Sequence, residues 1–238
     1  MKILLLGYGK MGKTIETLAL SRSHLIADRI DQDNYTDLHQ YNHTNVDVAI
    51  EFSQPDAAYN NIIYCLQHGI PIVSGTTGWL DRKDDIETLC KENNGAFFYS
   101  SNYSIGVNLF FKLNERLAEL MENTTEYRLE MEEIHHTEKK DEPSGTAITL
   151  AEGIIKKSDL KEKWILNDDS DKKAIPIYSK REGKVPGTHI IKYSSPIDTI
   201  EIKHTAHSRE GFAKGALLVA EWMMGKKGVL GMEDFLKF

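Results

Sequence analysis

KILLLGYGKMGKTIETLAL, residues 2–20, runs from an apolar stretch through spaced glycines into a helical pattern. The stretch 2–6 ends at Gly7, and from Lys10 onward Met11, Ile15, Leu18 and Ala19 recur at helical spacing. Strand, glycine turn and helix follow in that order. GYGKMG at 7–12 is therefore GxGxxG at a βα junction. There the first glycine permits the tight turn, the second lets the backbone approach a pyrophosphate, and the third lets helix and strand close together, with the helix N-terminus facing the anion. A plain glycine turn would show the same spacing, but an acidic residue about 20 positions on completes the dinucleotide pattern. Gly7, Tyr8, Gly9, Lys10, Met11 and Gly12 are the expected pyrophosphate contacts.

The acidic residue is Asp31, at the end of a second strand read at 24–31. A carboxylate there accepts hydrogen bonds from an adenosine ribose and repels a 2′-phosphate, which favours NADH over NADPH; Asp28 competes for the role, with Arg29 between them. Further strands at 46–52, 70–74 and 96–99 alternate with helices at 57–68 and 82–92. Such alternation implies βαβ units with right-handed crossovers, hence an α/β fold with a Rossmann-type, doubly wound parallel sheet. After Asn102 the texture changes. A long amphipathic helix at 106–122 leads to a strand, 127–131, that alternates apolar and charged residues, the mark of a sheet with one wet face. Strands at 175–178, 188–194 and 199–204 continue it into a mixed or antiparallel open sheet covered by helices, an α+β domain. The amphipathic helix at 212–224 is expected to return to the first domain, and the polar stretch 156–173 to be a mobile excursion.

Composition narrows the function. With 238 residues the chain can build one large or two modest domains. No apolar run approaches the roughly 20 residues of a membrane span, and the opening runs into glycines instead of a cleavage site, so a cytoplasmic protein without membrane partners is expected. A net charge of −7 without a basic stripe argues against nucleic acid. Cys65 and Cys90 show neither CxxC nor metal-ligand spacing and read as buried, reduced thiols.

Three loops carry the remaining polar chemistry. SGTTGW at 74–79 follows a short strand, and Gly75, Thr76 and Thr77 could border a flat ring, a plain βα turn being the alternative. SSNYSIGVN at 100–108 places Ser100, Ser101, Asn102 and Tyr103 after the last parallel strand, where a nicotinamide would meet a substrate. EIHHTEKKDEPSGTA at 133–147 is the densest. Its adjacent histidines, His135 and His136, come at a strand end and point to opposite sides, so one serves as acid or base while the other binds or packs. Glu132, Glu133 and Glu138 are near, but no HExxH or comparable pattern forms, and no metal is expected. Lys139 reads as a proton donor if desolvated, or as a solvated cation like Lys140. Ser144 reads as an N-cap, leaving the amides at Gly145 and Thr146 and the Thr146 hydroxyl to hold an anion. His204 and His207 read as core or surface residues, and Arg209 as a guanidinium for a cofactor or a substrate carboxylate.

Together with EFSQP at 51–55, KVPGTH at 184–189 and IEIKHTAHSREGFAKGA at 200–216, these motifs resemble the 4-hydroxy-tetrahydrodipicolinate (dihydrodipicolinate) reductases over essentially the whole chain. The resemblance implies a dinucleotide-binding domain of residues 1–104 and 209–238, a substrate-binding and oligomerisation domain of 105–208, and a homotetramer. It implies NAD(P)H-dependent reduction of a small cyclic dicarboxylate on the diaminopimelate route to lysine. By the family's pattern His135 is the catalytic acid/base, Lys139 the proton donor, and His136, Gly145 and Thr146 bind substrate; the turn at 75–77 and residues 100–103 meet the nicotinamide half. The chain departs from the pattern in a glycine loop one residue shorter than GxxGxMG, in Glu142 for the usual Ala, and in Thr137 for the usual Arg. Two other readings stand beside it: another two-domain NAD(P)-dependent dehydrogenase of amino-acid metabolism, and a non-catalytic dinucleotide-sensing module.

Overall fold

The computed structural model describes residues 1–208 and 210–238; Arg209 and its expected role lie outside the described residues. In chain order the elements are β1 (Lys2–Leu6), α1 (Lys10–Ser21), β2 (Leu25–Ile30), β3 (Val48–Glu51), α2 (Pro55–Gln67), β4 (Ile72–Ser74), α3 (Lys83–Glu92), β5 (Ala96–Tyr99), α4 (Ile105–Met121), β6 (Arg128–His135), α5 (Gly145–Lys157), β7 (Lys163–Leu166), β8 (Ala174–Arg181), β9 (Gly187–Ser194), β10 (Thr199–Ala206), α6 (Glu210–Trp222), β11 (Gly228–Leu230) and α7 (Met232–Leu236). Short 3-10 turns occupy Gln32–Gln40 and Leu80–Arg82. The chain forms two compact units: Met1–Ile105 with Glu210–Phe238, and the described chain between them from Gly106.

The first unit is a six-stranded sheet in the order β11-β5-β4-β3-β1-β2 with every pairing parallel. Its inner strands β1, β3, β4 and β5 are chiefly apolar and buried because helices cover both faces, whereas the edge strand β2 carries Asp28 and Arg29. On one face Leu4, Leu6, Ala49 and Phe97 pack with Ala58, Ile62 and Ile86 of α2 and α3; on the other Ile3, Leu5, Val73 and Phe98 pack with Ile15, Ala216 and Leu217 of α1 and α6. Gly215 lets α6 lie on this unit, since a Cβ there would fall 1.8 Å from the Tyr103 carbonyl oxygen. The strand order reverses between β1 and β3, and such a switch point opens a crevice beyond the strands' carboxyl ends. Gly7 stands at that point with φ +91°, where a Cβ would lie 2.2 Å from the Phe52 carbonyl oxygen. Only glycine fits.

The second unit is a five-stranded mixed sheet, β10-β9-β6-β8-β7. β10, β9 and β6 run antiparallel, whereas β8 is parallel to β6 and to β7. Along β6, Leu129, Met131, Glu133 and His135 face inward. The apolar members of that face pack with Phe110, Ala118 and Met121 of α4 and with Leu150, Ala151 and Ile154 of α5. The opposite face carries cross-strand ion pairs, Lys192 with Glu130 at 2.8 Å and Lys180 with Glu132 at 2.6 Å. Exposed pairs of this kind contribute about 1 kcal/mol or less each.

One expectation is corrected. The stretch 156–173 holds the end of α5 and the edge strand β7, which is fixed by parallel pairing to β8 and by Lys161 Nζ donating to the carbonyls of Lys172 (2.7 Å) and Ala174 (3.1 Å). Among the described residues no helix is long and apolar enough to cross a membrane.

Candidate active site

In the first unit the three glycines of the loop do different work. Gly7 makes the close approach to Phe52, and Gly12 brings α1 against the loop, a Cβ there meeting the Gly7 carbonyl oxygen at 2.4 Å. Gly9 caps α1 with ordinary φ −75°, and a Cβ on it would meet nothing within 4 Å. The first turn of α1 has no acidic residue and no side-chain cap, so its amides remain unneutralised and suited to an anion. Beside them lies a cleft of about 480 Å³ bordered by Gly7, Tyr8, Gly9, Asp31 and Ser53. Asp31 is fixed at its edge, accepting from the Gln32 amide at 2.9 Å and the Tyr8 amide at 3.3 Å. Asp28 is turned to Tyr41, whose hydroxyl donates to it at 2.9 Å, so of the two competitors Asp31 borders the cleft. Arg29 is paired with Glu16, which also accepts from the Tyr8 hydroxyl. Lys10 is exposed and Met11 half-buried at the start of α1. Bare amides, a glycine-lined approach and a fixed carboxylate at the second strand's end fit a dinucleotide.

The next two loops are organised by a carboxylate that the sequence reading passed over. Glu51, at the end of β3, is fully buried and accepts from Ser53 N (2.8 Å), Ser53 Oγ (2.5 Å), Ser74 Oγ (2.6 Å) and Thr76 Oγ1 (2.8 Å). The Thr76 hydroxyl is thereby committed to the scaffold, while Thr77 is exposed and Gly75 half-buried against the Phe52 ring. Tyr103 is also scaffold: it is buried, and its hydroxyl donates to the Ser74 carbonyl at 2.7 Å. Ser100 and Asn102 hydrogen-bond each other around the turn, and Ser101 is exposed.

The second unit gathers the histidine loop. Strand register sets Glu133 beside Ser179 of β8 on one side and His189 of β9 on the other, and the next inward rung pairs His135 with Arg181. Glu133, with no exposed surface, accepts from the Ser144 amide at 3.1 Å to each oxygen and from Ser179 Oγ at 2.6 Å. Arg181 Nη1 lies 3.5 Å from Glu133 Oε1 and donates to Ser179 Oγ at 2.7 Å. Burial opposes the charge on Glu133, but these donors and His189 outweigh it and hold its carboxyl far below the usual range. His135 Nδ1 stands 3.5 Å from Glu133 Oε2 and His189 Nε2 3.7 Å from the same oxygen. His135 is 6% exposed, and burial brings its pKa down to about 4, against the opposing pull of Glu133. Near neutral pH this imidazole is uncharged. Its ring occupies the space a side chain at 187 would need, Nε2 lying 3.1 Å from where a Gly187 Cβ would stand.

Lys139 is tethered to Asp141 at 2.8 Å, and Arg181 grips the backbone of the same loop, donating from Nη2 to the Asp141 carbonyl (2.7 Å) and from Nε to the Lys139 carbonyl (3.4 Å). His136 borders a cavity of about 520 Å³ with Glu138, Gly183 and Lys184. Ser144 caps α5, its Oγ accepting from the Ala147 amide at 3.2 Å, and the first turn carries no acidic residue. Gly145 is exposed with open space around it, and Thr146 is half-buried beside it. His207 is exposed, and His204 packs on Phe110 with ring centres 5.9 Å apart. His135, His136, Lys139, Gly145 and Thr146 thus share one loop and the strand feeding it. Sequence reading missed Glu133, Ser179, Arg181 and His189. The available signal was an acidic residue at an inward position of an alternating strand. The expectation of no metal weighed that loop alone; register adds His189, so ligand atoms of Glu133, His135 and His189 all lie within 4.8 Å of one another.

Comparison with known proteins covers both units. Family models described as dihydrodipicolinate reductase, N-terminus and C-terminus, match residues 1–103 and 106–236. A 4-hydroxy-tetrahydrodipicolinate reductase of Christiangramia forsetii is 50% identical over 236 residues, 99% of this chain and 98% of its own. One from Lawsonia intracellularis is 35% identical over 92% of each chain. Among solved structures, a dipicolinate-bound dihydrodipicolinate reductase from Paenisporosarcina sp. TG-14 superposes with TM-score 0.80 at 21% identity, covering 97% of both chains. An aspartate dehydrogenase from Thermotoga maritima shares the fold more distantly, at TM-score 0.51 and 14% identity over 95% of this chain and 97% of its own.

Proposed function

The chain belongs to the dihydrodipicolinate reductase family over both units and is an NAD(P)H-dependent oxidoreductase of the diaminopimelate route to lysine; from that premise we propose how its residues divide the reaction. The first unit binds the dinucleotide, with the pyrophosphate on the amides of residues 7–12 and the ribose on Asp31. Residues 75–77 and 100–103 border the nicotinamide half. A bound reduced nicotinamide supplies the hydride that the electron-poor ring carbon of the substrate accepts. The second unit holds the ring: one carboxylate sits on the amides of Gly145 and Thr146 and the Thr146 hydroxyl, with His136 beside it. With His135 neutral near pH 7, the Lys139 ammonium carries the proton the ring takes up, and His135 is the acid/base that hydrogen-bonds to the ring.

The observation that carries this reading is the un-neutralised start of α5 in the same loop as His135 and Lys139. Thiol chemistry of the aldehyde-oxidising kind has no support, because Cys65 and Cys90 are buried and burial pushes both thiols up. A non-catalytic dinucleotide sensor has no use for two histidines, a lysine and an anion-binding helix start in one loop.

Asp31 supports NADH over NADPH, because Arg29, the cation beside it in sequence, is engaged by Glu16. A homotetramer and a cytoplasmic location complete the proposal. The apolar stripe of Leu109, Leu113 and Leu120 on α4, each about half exposed or more, supports self-association. Arg209 is carried as a further contact on the family's pattern alone.

The test is spectrophotometric consumption of NADH and NADPH with the condensation product of aspartate semialdehyde and pyruvate, with dipicolinate as competitor. Turnover with both cofactors, faster with NADH at low concentration, is expected. Absence of turnover with either sinks the reductase assignment of these residues, and an NADPH preference sinks the role given to Asp31.

A further inference from the structure

The group of Glu133, His135 and His189 admits two uses, a metal site or a hydrogen-bonded scaffold. Donors decide between them. Glu133 Oε1 already accepts from Ser179 Oγ and the Ser144 amide, with Arg181 Nη1 at 3.5 Å, and Oε2 accepts from the same amide. A cation entering here would displace those donors and face the guanidinium of Arg181 and the ammonium of Lys139, both close enough to press on His135. His189 Nε2, a required ligand, is 3.1 Å from Ser144 Oγ. The carboxylate is satisfied without a metal.

We propose that Glu133 is a positioning residue of the reduction, which fixes His135 in the tautomer with the proton on Nδ1 and ties that imidazole to the anion-binding start of α5 and, through Arg181, to the loop that carries Lys139. The inference rests on the proton-transfer roles assigned above to His135 and Lys139. His135 Nδ1 is buried, has no hydrogen-bond partner among the described residues, and faces Glu133 Oε2 at 3.5 Å. A proton on Nδ1 meets that anion, whereas a lone pair there would oppose it, so Nε2 is left as the acceptor. The same carboxylate takes the Ser144 amide, immediately before Gly145 and Thr146. Through Ser179 it also holds Arg181, whose fork reaches the carbonyls of Lys139 and Asp141. One buried anion thus sets imidazole, carboxylate site and ammonium relative to one another.

Glu133→Gln tests this with little change of shape. Ser179 Oγ and Arg181 Nη1 donate toward the Oε1 position alone, while the Ser144 amide reaches both positions, so the carboxamide oxygen is favoured at Oε1 and its NH2 faces His135 Nδ1. The expected result is a proton moved from Nδ1 to Nε2 of His135, read from its two 15N chemical shifts in selectively labelled protein, with kcat reduced on the order of 10²–10⁴-fold and the Kd for NADH unchanged. A merely structural role would leave the tautomer as it is. Arg181→Lys keeps the charge but loses the fork and should lower kcat about tenfold or more, again with NADH affinity intact. An unchanged His135 tautomer or an unchanged kcat in Glu133→Gln overturns the proposal. So does a dialysed wild type that retains one equivalent of zinc while Glu133→Gln retains none. Should His135→Gln instead leave kcat unaltered, the proton-transfer assignment falls, and the tautomer measurement still decides whether Glu133 orients the ring.

Discussion

His135 binds its proton far more weakly in the fold than in an unfolded chain, with a pKa of about 4 against 6.5, chiefly because it is buried. Between those values the unfolded chain holds the extra proton, so His135 favours the fold fully above pH 6.5, and that contribution drains away as pH falls toward 4. At about 1.36 kcal/mol per unit the loss is on the order of 3 kcal/mol. The wild-type Tm should therefore fall between pH 6.5 and 4.5, and His135→Gln should flatten that part of the curve in calorimetric scans. In steady-state assays the same variant should lose 10²–10⁴ in kcat, with a small change in cofactor affinity. At the other site, Asp31→Asn should shift the NADPH:NADH ratio of kcat/KM toward NADPH about fivefold, the scale of one unit-charge repulsion at close range in water, ~1 kcal/mol. Equal ratios in the two proteins would remove Asp31 from cofactor choice. The histidines and Lys139 could be read from sequence because they are neighbours along the chain. Glu133 could not, because Ser179, Arg181 and His189 reach it only through strand register.

The glycine loop separates folding from binding within a single turn. Gly7→Ala places a Cβ against the Phe52 backbone at positive φ, and several kcal/mol of strain should leave little soluble, folded protein. Gly9→Ala meets open space with an allowed φ, so its unfolding free energy should stay within about 1 kcal/mol of wild type while the Kd for NADH rises, because the methyl group occupies the anion's approach. If Gly9→Ala binds NADH normally, the pyrophosphate does not lie there. Elements were legible where burial imposes a pattern. β1, β3, β4 and β5 are apolar runs because neighbours and helices enclose them, and β6 alternates because one of its faces is wet. β7 and β11 left little trace. Each is a short edge strand with one pairing partner and incompletely buried residues, so pairing fixes its place more than composition does.

At the scale of the chain, the two units make separable demands on ligands. Saturating NADH should slow amide exchange at residues 7–12, 31 and 52–54, and a dicarboxylate should slow it at 135–147 and 181–189. At 100 times its Kd either ligand adds about 2.7 kcal/mol to whatever unfolds with its site. Exchange maps that fail to separate in this way would refute the division of labour. The ladder through Ser179, Glu133 and His189 also bears on how activity is acquired. The groups that surround His135 come from strands β6, β8 and β9, joined in non-local register, and a slip of one residue in β6 would turn Glu133 and His135 to the wet face. Helices form early and such pairings late. During refolding from denaturant, catalytic competence should consequently lag behind the recovery of helical circular dichroism, and the interval between the two signals would time the last registration of the second sheet.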